Sequence, residues 1–501
     1  MIKKILITNR GEIAVRVIRS CSEMDIKTVA VYSEVDRVSP HVLKADEAYC
    51  IGSAQSSESY LNIPNILKVL ELSGADAVHP GYGFLSENAG FATEISKLGI
   101  KWIGPSPESI TLLGDKMASR KLAKKISMPI VPGTVEPVNH TDNINEIANT
   151  VGYPVLVKAA GGGGGKGMRI VQSEKDLNKA LDRAKSEAKH AFTDDRIYIE
   201  KYIEEPHHIE IQIFSDNHGN IVSLGERECS VQRRYQKIIE ETPSPFINES
   251  LRKKLSKMAI SIAHACDYIG AGTVEFLVDN KSNYYFLEMN TRLQVEHPIT
   301  EMVTGYDLVK EQICVADGKP LSFEQSDIRN EGHSMECRIY AEDGFNNFSP
   351  SIGKINELEY PHGLGVRLDD GIRSGQEITP FYDPLLIKLI TWGKDRNESL
   401  KRMVRALNEF HVVGINTTIP FCLMMIQHES FKNGLYSTNT LSEIKDKLIE
   451  KMKFQSENHS LAAGIVAVQH TIKKKNTSNN IPVDDTQSST WLHIGKKDNL
   501  R

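Results

Sequence analysis

The 501-residue sequence lacks the long apolar runs that form membrane-spanning helices. No window approaches the roughly 18 consecutive apolar residues that such a helix needs, and the apolar run near the start is too short for a signal peptide. Hydrophobic residues make up 40% and charged residues 25% of the sequence, as is typical of globular enzymes. We therefore expect several packed domains and no membrane segment.

Cysteine is also scarce, and neither sign of charge dominates. The seven cysteines are scattered and never spaced C-x-x-C, which argues against a disulfide framework or a structural zinc site and indicates a cytoplasmic protein. The 60 basic and 65 acidic residues are mixed along the chain and leave a net charge of -5. This balance gives no electrostatic basis for binding nucleic acid, so we expect small molecules or proteins as partners.

The first strand is not followed by the glycine fingerprint of a dinucleotide-binding fold. The strand "KILIT", the loop "NRGE", the amphipathic helix "IAVRVIRSCSEM" and the strand "KTVAVYS" form a βαβ unit. The loop does not contain G-x-G-x-x-G. The pattern predicts a Rossmann-like N-terminal domain without a hydride-transfer cofactor.

A run of five glycines precedes a lysine in "AAGGGGGKGMRI", residues 159–170. Lys166 is followed by Gly167 rather than by Ser or Thr, so the run is not a Walker A loop. The β-branched residues on both sides predict a hairpin with a flexible tip. Such a tip is either a plain surface turn or a flap whose backbone amides close over an anion. Lys116 and Lys158 favour the flap and a polyphosphate ligand.

Carboxylates interrupt two apolar strands further along the chain. Glu275 lies within "GTVEFLV", and an unpaired buried carboxylate costs on the order of several kcal/mol. In "YFLEMNTRLQVEHP" the alternate positions are Glu288, Asn290, Arg292, Gln294 and Glu296. If this backbone stays extended, these side chains line one face over about 27 Å, at roughly 3.3 Å per residue. Their oxygens suit Mg²⁺ or Mn²⁺ bound together with nucleotide phosphates, and a plain amphipathic strand is the alternative.

The segment "VQRRYQK" concentrates positive charge, with Gln232, Arg233, Arg234 and Lys237 close together. A solvated edge strand that blocks aggregation would have this composition. Together with the flap and the carboxylates, it favours a pocket for an anionic substrate.

Several motifs resemble the biotin carboxylase family, which is built on the ATP-grasp fold. They are "NRGEIAVRVIR", "HPGYGFLSEN", "GDKMASR", "VKAAGGGGGKGMR", "QRRYQKIIEETPSP", "EMNTRLQVEHPITEMVTG" and "YDPLLIKLITWG", within about Lys3 to Leu441. The resemblance implies an α/β and α+β multidomain chain. We expect a Rossmann-like N-terminal domain (1–113), a central ATP-grasp domain (114–330) with a glycine-rich lid (about 131–203), a C-terminal biotin carboxylase domain with a mixed sheet (331–445) and a polar tail (455–501).

The resemblance implies ATP- and bicarbonate-dependent carboxylation of biotin through carboxyphosphate. The implied ATP-binding residues are Lys116, Lys158, Gly163, Gly164, Gly165, Lys166, Gly167, Met168, Glu200, Lys201, Ile203, His208, Gln232, Tyr235, Glu275 and Glu288. The implied ligands of Mg²⁺ or Mn²⁺ are Glu275, Glu288 and Asn290. The implied bicarbonate-binding residues are Lys237, Arg292, Gln294 and Val295.

The resemblance also assigns the implied catalytic group, which consists of Glu296, Arg292, Lys237 and Arg338. Glu296 would be the general base for bicarbonate. Arg338 would stabilise the biotin enolate, and Tyr82 would contact biotin. Tyr235 departs from the family pattern, because it stands where a histidine is usual; it is neutral near pH 7 and bulkier.

No biotin carrier and no carboxyltransferase domain is recognisable in the sequence. The string nearest to a biotin-accepting A-M-K-M is "EKMKFQ" around Lys453, which follows a helical pattern instead. We expect a homodimer that works with a biotin carboxyl carrier protein or a biotinylated carboxyltransferase subunit. It would be the biotin carboxylase of acetyl-CoA carboxylase or the A subunit of a two-subunit pyruvate carboxylase. The alternatives are another ATP-grasp ligase, such as a carbamoyl-phosphate or purine-pathway enzyme, and a non-catalytic nucleotide-binding module.

Overall fold

The computed structural model describes residues 1–138, 143–160, 167–192, 194–344, 346–451 and 453–454. Residues Met1–Leu448 form one compact unit, and Ile449–Arg501 are assigned to a second. The predicted site residues Gly163, Gly164, Gly165 and Lys166 and the tail 455–501 lie outside the described residues. Within the described part of the chain, no helix is long and apolar enough to cross a membrane.

Five parallel strands form the first sheet, in the order β3-β2-β1-β4-β5. Its region contains β1 (Lys4–Ile7), α1 (Gly11–Glu23), β2 (Lys27–Ser33), α2 (Pro40–Lys44), β3 (Glu47–Gly52), α3 (Ile63–Ser73), β4 (Ala77–His79), α4 (Ala89–Lys97), β5 (Lys101–Trp102) and α5 (Pro107–Gly114). Ile5 and Ile7 pack with α1, whereas Leu6 packs with α3 and α4, so helices cover both faces. The predicted Rossmann-like arrangement is confirmed.

A small antiparallel sheet in the order β7-β6-β8 carries the glycine run. The elements here are α6 (Lys116–Lys125), α7 (Ile144–Val151), β6 (Val155–Ala159), β7 (Met168–Val171), α8 (Glu174–Phe192) and β8 (Ile197–Lys201). Lys158 on β6 lies opposite Met168 on β7, so the predicted hairpin is confirmed. Gly167 enters β7 with a φ of +70°, and a Cβ there would lie 2.9 Å from the Cβ of Ala159.

An eight-stranded antiparallel sheet dominates the rest of the chain, in the order β13-β12-β9-β10-β11-β14-β21-β19. Its first part contains β9 (His207–Ser215), β10 (Ile221–Arg233), β11 (Gln236–Thr242), α9 (Glu249–Ala265), β12 (Gly270–Val278), β13 (Tyr284–Asn290), α10 (His297–Thr304) and α11 (Leu308–Ala316). Strand β14 (His333–Tyr340) pairs with β11, so the sheet continues across the domain boundary predicted at 330 and 331.

Short strands and three helices complete the described elements. They are β15 (Glu342–Asp343), β16 (Ser349–Pro350), β17 (Gly353–Lys354), β18 (Glu357–Glu359), β19 (Val366–Asp370), β20 (Glu377–Ile378), β21 (Leu385–Gly393), α12 (Arg396–Glu409), β22 (His411–Val413), α13 (Ile419–Ile426) and α14 (Glu429–Lys432). The predicted helix over 396–409 is confirmed as α12.

Strand β9, "HHIEIQIFS", decides which face of the large sheet is polar. Ile209, Ile211 and Ile213 pack on the apolar side with α9 and with β12. Because side chains alternate along a strand, His208, Glu210 and Gln212 point to the opposite face. All nine residues of β9 are buried, so this polar face is covered and must satisfy its own charges.

The prediction that the backbone stays extended from Glu288 to Glu296 is wrong. Strand β13 ends at Asn290, the next six residues turn, and α10 begins at His297. Glu87 holds this turn, because its carboxylate accepts hydrogen bonds from the Thr291 backbone N–H at 3.1 Å and from Arg292 Nε at 2.9 Å. These partners lie 204 residues or more away in sequence, so polar alternation alone does not predict the turn.

The alternative of a charged edge strand for "VQRRYQK" is also wrong. Arg233 pairs with Gln236, and Arg234 and Tyr235 form a two-residue hairpin turn with φ values of +51° and +68°. Both strands of this hairpin have a second neighbour, because β10 pairs with β9 and β11 pairs with β14. The hairpin therefore lies in the interior of the sheet order, with the Tyr235 side chain half-exposed at its tip.

Candidate active site

Three glutamates lie side by side on the covered polar face of the large sheet. Glu275 on β12 pairs in register with Glu210 on β9 and with Glu288 on β13. Directly opposite side chains of antiparallel strands lie close together, with Cβ atoms about 4.5–5.5 Å apart. Like charges at this spacing repel one another, so the row requires cations between its members.

Lys237, near the start of β11, supplies the central cation. Its Nζ contacts Glu210 and lies 3.0 Å from Glu275 Oε1 and 2.9 Å from Glu296 Oε1. Burial opposes the charge on this amine, but the neighbouring Glu275 and Glu296 raise the pKa of Lys237 above its ordinary value. Lys237 is therefore a fixed ammonium group held by three carboxylates.

Glu296 lies between two cations at the point where the turn meets α10. Its Oε1 accepts from Lys237, and its Oε2 accepts from Arg338 Nη2 at 2.9 Å. Burial favours the protonated form, but Lys237 and then Arg338 hold the pKa of Glu296 well below its ordinary range. Glu296 is therefore an ionised carboxylate whose charge is balanced on both sides.

Glu275 collects donors from several elements. Its Oε1 accepts from Asn290 Nδ2 at 2.8 Å and from Gln294 Nε2 at 2.9 Å, and its Oε2 lies 2.9 Å from His208 Nε2. Burial favours the protonated form, but Lys237 and His208 lower the pKa of Glu275. The turn after β13 thus brings Gln294 back to the end of the carboxylate row.

The predicted metal ligands Glu275, Glu288 and Asn290 lie next to one another and fit a divalent cation. They offer carboxylate and amide oxygens, the hard donors that Mg²⁺ and Mn²⁺ prefer. Glu288 is partly exposed, and its Oε2 lies 3.5 Å from Lys116 Nζ, so it has an oxygen open to a ligand. The amide oxygen of Asn290 accepts from Arg292 Nη2 at 2.9 Å.

The remaining predicted bicarbonate and biotin residues lie around the same turn. Arg292 connects Glu87 to Asn290, and Gln294 Oε1 accepts from Arg227 Nη2 at 2.6 Å. The Val295 carbonyl accepts from Lys388 Nζ at 3.0 Å. The ring of Tyr82 has its centroid 5.8 Å from the same Lys388 Nζ.

Predicted ATP residues on β6 and β8 form a second charged group. Glu200 is buried and accepts from Lys158 Nζ at 2.9 Å and from Arg120 Nη1 at 3.1 Å. Lys201 Nζ donates to two backbone carbonyls before β6, those of Gly152 and Tyr153.

The other predicted ATP residues lie at the ends of neighbouring strands. Ile203 is half-buried in the segment after β8, and Gln232 Nε2 lies 2.7 Å from His208 Nδ1. Met168 and Gly167 lie at the open end of the β6–β7 hairpin, next to the glycine run.

Sequence reasoning missed four residues that organise this site. Glu210 and Arg227 are fully buried, and Arg227 Nη2 lies 3.2 Å from Glu210 Oε2. The alternation of "HIEIQIFS" could have identified Glu210, because it predicts a polar face. Glu87 and Lys388 reach the turn from distant elements, and no local pattern marks them.

Comparisons with known proteins agree with this architecture. The model of the biotin carboxylase N-terminal domain matches residues 1–110, the ATP-binding domain of the carbamoyl-phosphate synthase L chain matches 115–324, and the biotin carboxylase C-terminal domain matches 336–443. Together they define a ligase of the ATP-grasp class. The chain belongs to the biotin carboxylase family, whose two terminal domains flank the ATP-binding domain.

Individual relatives span almost the whole described chain. Biotin carboxylase 1 of Bacillus subtilis is 51% identical over 442 residues, which cover 88% of this chain and 98% of the relative. The A subunit of the pyruvate carboxylase of Methanothermobacter thermautotrophicus is 50% identical over 453 residues, covering 90% and 92%. The biotin carboxylase domain dimer of Hydrogenobacter thermophilus 2-oxoglutarate carboxylase, solved with MgADP, ADP and bicarbonate, is 44% identical with a TM-score of 0.87, covering 90% of this chain and 99% of that one.

Proposed function

We propose that this chain uses ATP and bicarbonate to carboxylate biotin that is attached to a separate carrier. The observation that carries the proposal is Glu296, a buried carboxylate held between Lys237 and Arg338 beside the predicted bicarbonate residues. A general base, cations for an anionic substrate and a guanidinium for an oxyanion are thereby placed within one site.

Nucleotide binding follows from the cations on the first wall of the site. Lys116 and Lys158 would neutralise phosphates together with Lys166 and Gly163, Gly164, Gly165, Gly167 and Met168 of the flap. Glu200, Lys201 and Ile203 would bind the adenine, with His208, Gln232 and Tyr235 nearby. Phosphoryl transfer requires positioning and charge neutralisation more than covalent help. Mg²⁺ or Mn²⁺ held by Glu275, Glu288 and Asn290 would supply part of that neutralisation.

Bicarbonate binding would change the basicity of Glu296. Bicarbonate held by Lys237, Arg292, Gln294 and the Val295 backbone competes with Glu296 for the Lys237 ammonium. The pKa of Glu296 then rises from its low value, so the carboxylate becomes a better base as the substrate arrives. Glu296 takes the bicarbonate proton, and the oxygen attacks the γ-phosphate to give carboxyphosphate and ADP.

Carboxyl transfer would take place at the other end of Glu296. Carboxyphosphate breaks into CO₂ and phosphate, and the phosphate takes the proton from biotin N1′. Arg338 stabilises the enolate oxygen of biotin, because a guanidinium keeps its charge at every relevant pH. Tyr82 contacts the biotin ring. The biotin nitrogen then attacks CO₂ and forms carboxybiotin.

The partners that we propose are a second copy of this chain and a carrier. The solved relative from H. thermophilus is a dimer, and the relative from M. thermautotrophicus is one component of a larger carboxylase by its name. We infer a homodimer that meets a biotin carboxyl carrier protein or a biotinylated carboxyltransferase subunit. Pyruvate carboxylase and acetyl-CoA carboxylase are the two candidate complexes, since relatives from both kinds of system are about equally similar.

ATP cleavage by the purified chain tests the chemistry. We expect cleavage that requires bicarbonate and rises with free biotin. Glu296→Ala should abolish it, and Arg338→Ala should strongly weaken it. The matched control is Glu357→Ala, which removes an exposed glutamate on β18 and should leave the rate unchanged. Hydrolysis indifferent to bicarbonate and biotin would contradict the proposal, and binding of ATP without cleavage would support a non-catalytic nucleotide-binding module.

Transfer of labelled bicarbonate identifies the complex. Purified carriers of the acetyl-CoA carboxylase and pyruvate carboxylase types are each incubated with the chain, ATP and ¹⁴C-bicarbonate. The physiological carrier should become labelled faster by at least about ten-fold, which corresponds to about 1.4 kcal/mol of discrimination. Equal labelling of both carriers would refute the assignment to a single complex.

A further inference from the structure

Arg338 has a second carboxylate partner besides Glu296. Its Nε donates to Glu240 Oε1 at 2.6 Å, while its Nη2 donates to Glu296 Oε2 at 2.9 Å. Glu240 is fully buried on β11, and Arg338 is buried on the adjacent strand β14. The guanidinium is therefore held along two different edges by two carboxylates.

A third carboxyl group, Glu336, lies behind this pair. It is directly opposite Glu240 in the β11–β14 ladder and is fully buried as well. Glu240 Oε2 and both oxygens of Glu336 lack a hydrogen-bond partner within the described part of the chain. Two buried carboxylates at this spacing cannot both stay ionised without partners, so the pair retains a proton.

The surrounding charges decide which carboxyl group carries that proton. Arg338, Lys237 and the negative Glu296 act on Glu240, and Lys388 on β21 acts on Glu336 together with Arg338. Burial raises the pKa of Glu240 to about 7 against the opposing effect of Arg338. Burial and the Glu240 charge raise the pKa of Glu336 well above its ordinary value. Glu336 therefore holds the proton, and Glu240 keeps its charge for Arg338.

We propose that Glu240 is a positioning residue that fixes the Nε edge of Arg338 while its other edge moves between Glu296 and the biotin enolate. The inference rests on the proposed function. Once Glu296 has taken the bicarbonate proton, it attracts Arg338 Nη2 less strongly. The Nη2 group is then released, but the charge-assisted bond from Nε to Glu240 keeps the planar guanidinium in place. Arg338 can thus meet the enolate oxygen without a search through rotamers.

Steady-state kinetics of the purified full chain with free biotin test this role. Glu240→Gln keeps the shape of the side chain but removes the charge that holds Nε. We expect kcat/KM for biotin to fall about ten- to hundred-fold, because small displacements of a catalytic group have effects of this size. KM for ATP and KM for bicarbonate should stay within about two-fold of the wild type, which a general structural defect would not achieve.

Glu336→Gln is the matched control, because a neutral amide resembles the protonated carboxyl group that we infer there. All three kinetic constants should remain within about two-fold of the wild type. Glu240→Asp keeps the charge on a shorter side chain and should recover part of the biotin kcat/KM that Glu240→Gln loses. If Glu240→Gln does not fold, Glu240→Asp alone must lower kcat/KM for biotin and leave KM for ATP unchanged.

Three outcomes would overturn the inference. They are wild-type biotin kinetics in Glu240→Gln, an equal loss for ATP, bicarbonate and biotin, and a larger biotin defect in Glu336→Gln than in Glu240→Gln. A wild-type chain that cleaves ATP but never carboxylates biotin would instead refute the proposed function. The two failures are therefore distinguishable.

Discussion

Replacing Lys388 by methionine tests how the site turn is held in place. The Lys388 side chain is fully buried on β21, directly opposite Arg338 on β14. Its Nζ lies 3.1 Å from Glu12 Oε2 on α1 and 3.6 Å from Asp369 Oδ2 on β19, and it donates to the Val295 carbonyl. Methionine retains the apolar stem but removes the charge and the donor.

The structure sets the size of the expected loss. Removing one partner of a buried ion pair costs about 3–5 kcal/mol when the other partner stays charged and unpaired. Here Asp369 keeps Arg367, whose Nη2 lies 2.9 Å away. Burial raises the pKa of Glu12 to about 7, so Glu12 can take up a proton instead. The main remaining cost is the Val295 carbonyl, at about 1–3 kcal/mol. We expect a loss of about 2 kcal/mol.

Urea unfolding at pH 7 and bicarbonate titration measure the two consequences of Lys388→Met. Besides the loss of stability, KM for bicarbonate should rise about ten-fold while KM for ATP stays unchanged, because the carbonyl lies between Gln294 and Glu296. Lys394→Met on the exposed surface is the matched control and should change stability by less than about 0.5 kcal/mol. A loss as small as that of the control, or unchanged bicarbonate binding, would refute the reasoning.

Four further predictions concern pH, the flap, the hairpin and the metal. Burial raises the pKa of Glu12 from 4.5 to about 7, so the folded state binds more protons in this interval and stability falls as pH rises; Glu12→Gln should flatten part of that fall in urea unfolding between pH 5 and 7. Gly167→Ala places a Cβ at positive φ against Ala159, which should cost about 1–3 kcal/mol in the same assay and raise KM for ATP. Tyr235→Gly relieves a positive φ and should stabilise the chain by about 1 kcal/mol in urea unfolding, while KM for ATP rises if the ring contacts the nucleotide. EDTA should abolish ATP cleavage in a phosphate-release assay, and added Mg²⁺ or Mn²⁺ should restore it.

Much of the fold could be predicted from local sequence patterns. Apolar strands alternating with amphipathic helices predicted the parallel sheet, and β-branched runs around the glycines predicted the hairpin of β6 and β7. These features depend on periodicity and turn chemistry within short segments. The same patterns failed after Asn290, where an alternating polar segment turns instead of continuing the strand.

The charges of the site belong to the tertiary structure. The sequence by itself determined the residue types and the family, including the carboxylates and cations that the chemistry requires. Only the pairing of β9, β12 and β13 put Glu210, Glu275 and Glu288 in one row, and only the turn held by Glu87 brought Glu296 between Lys237 and Arg338. The physical reason is that register between distant strands depends on the whole core, whereas pKa values depend on which charges that register brings together.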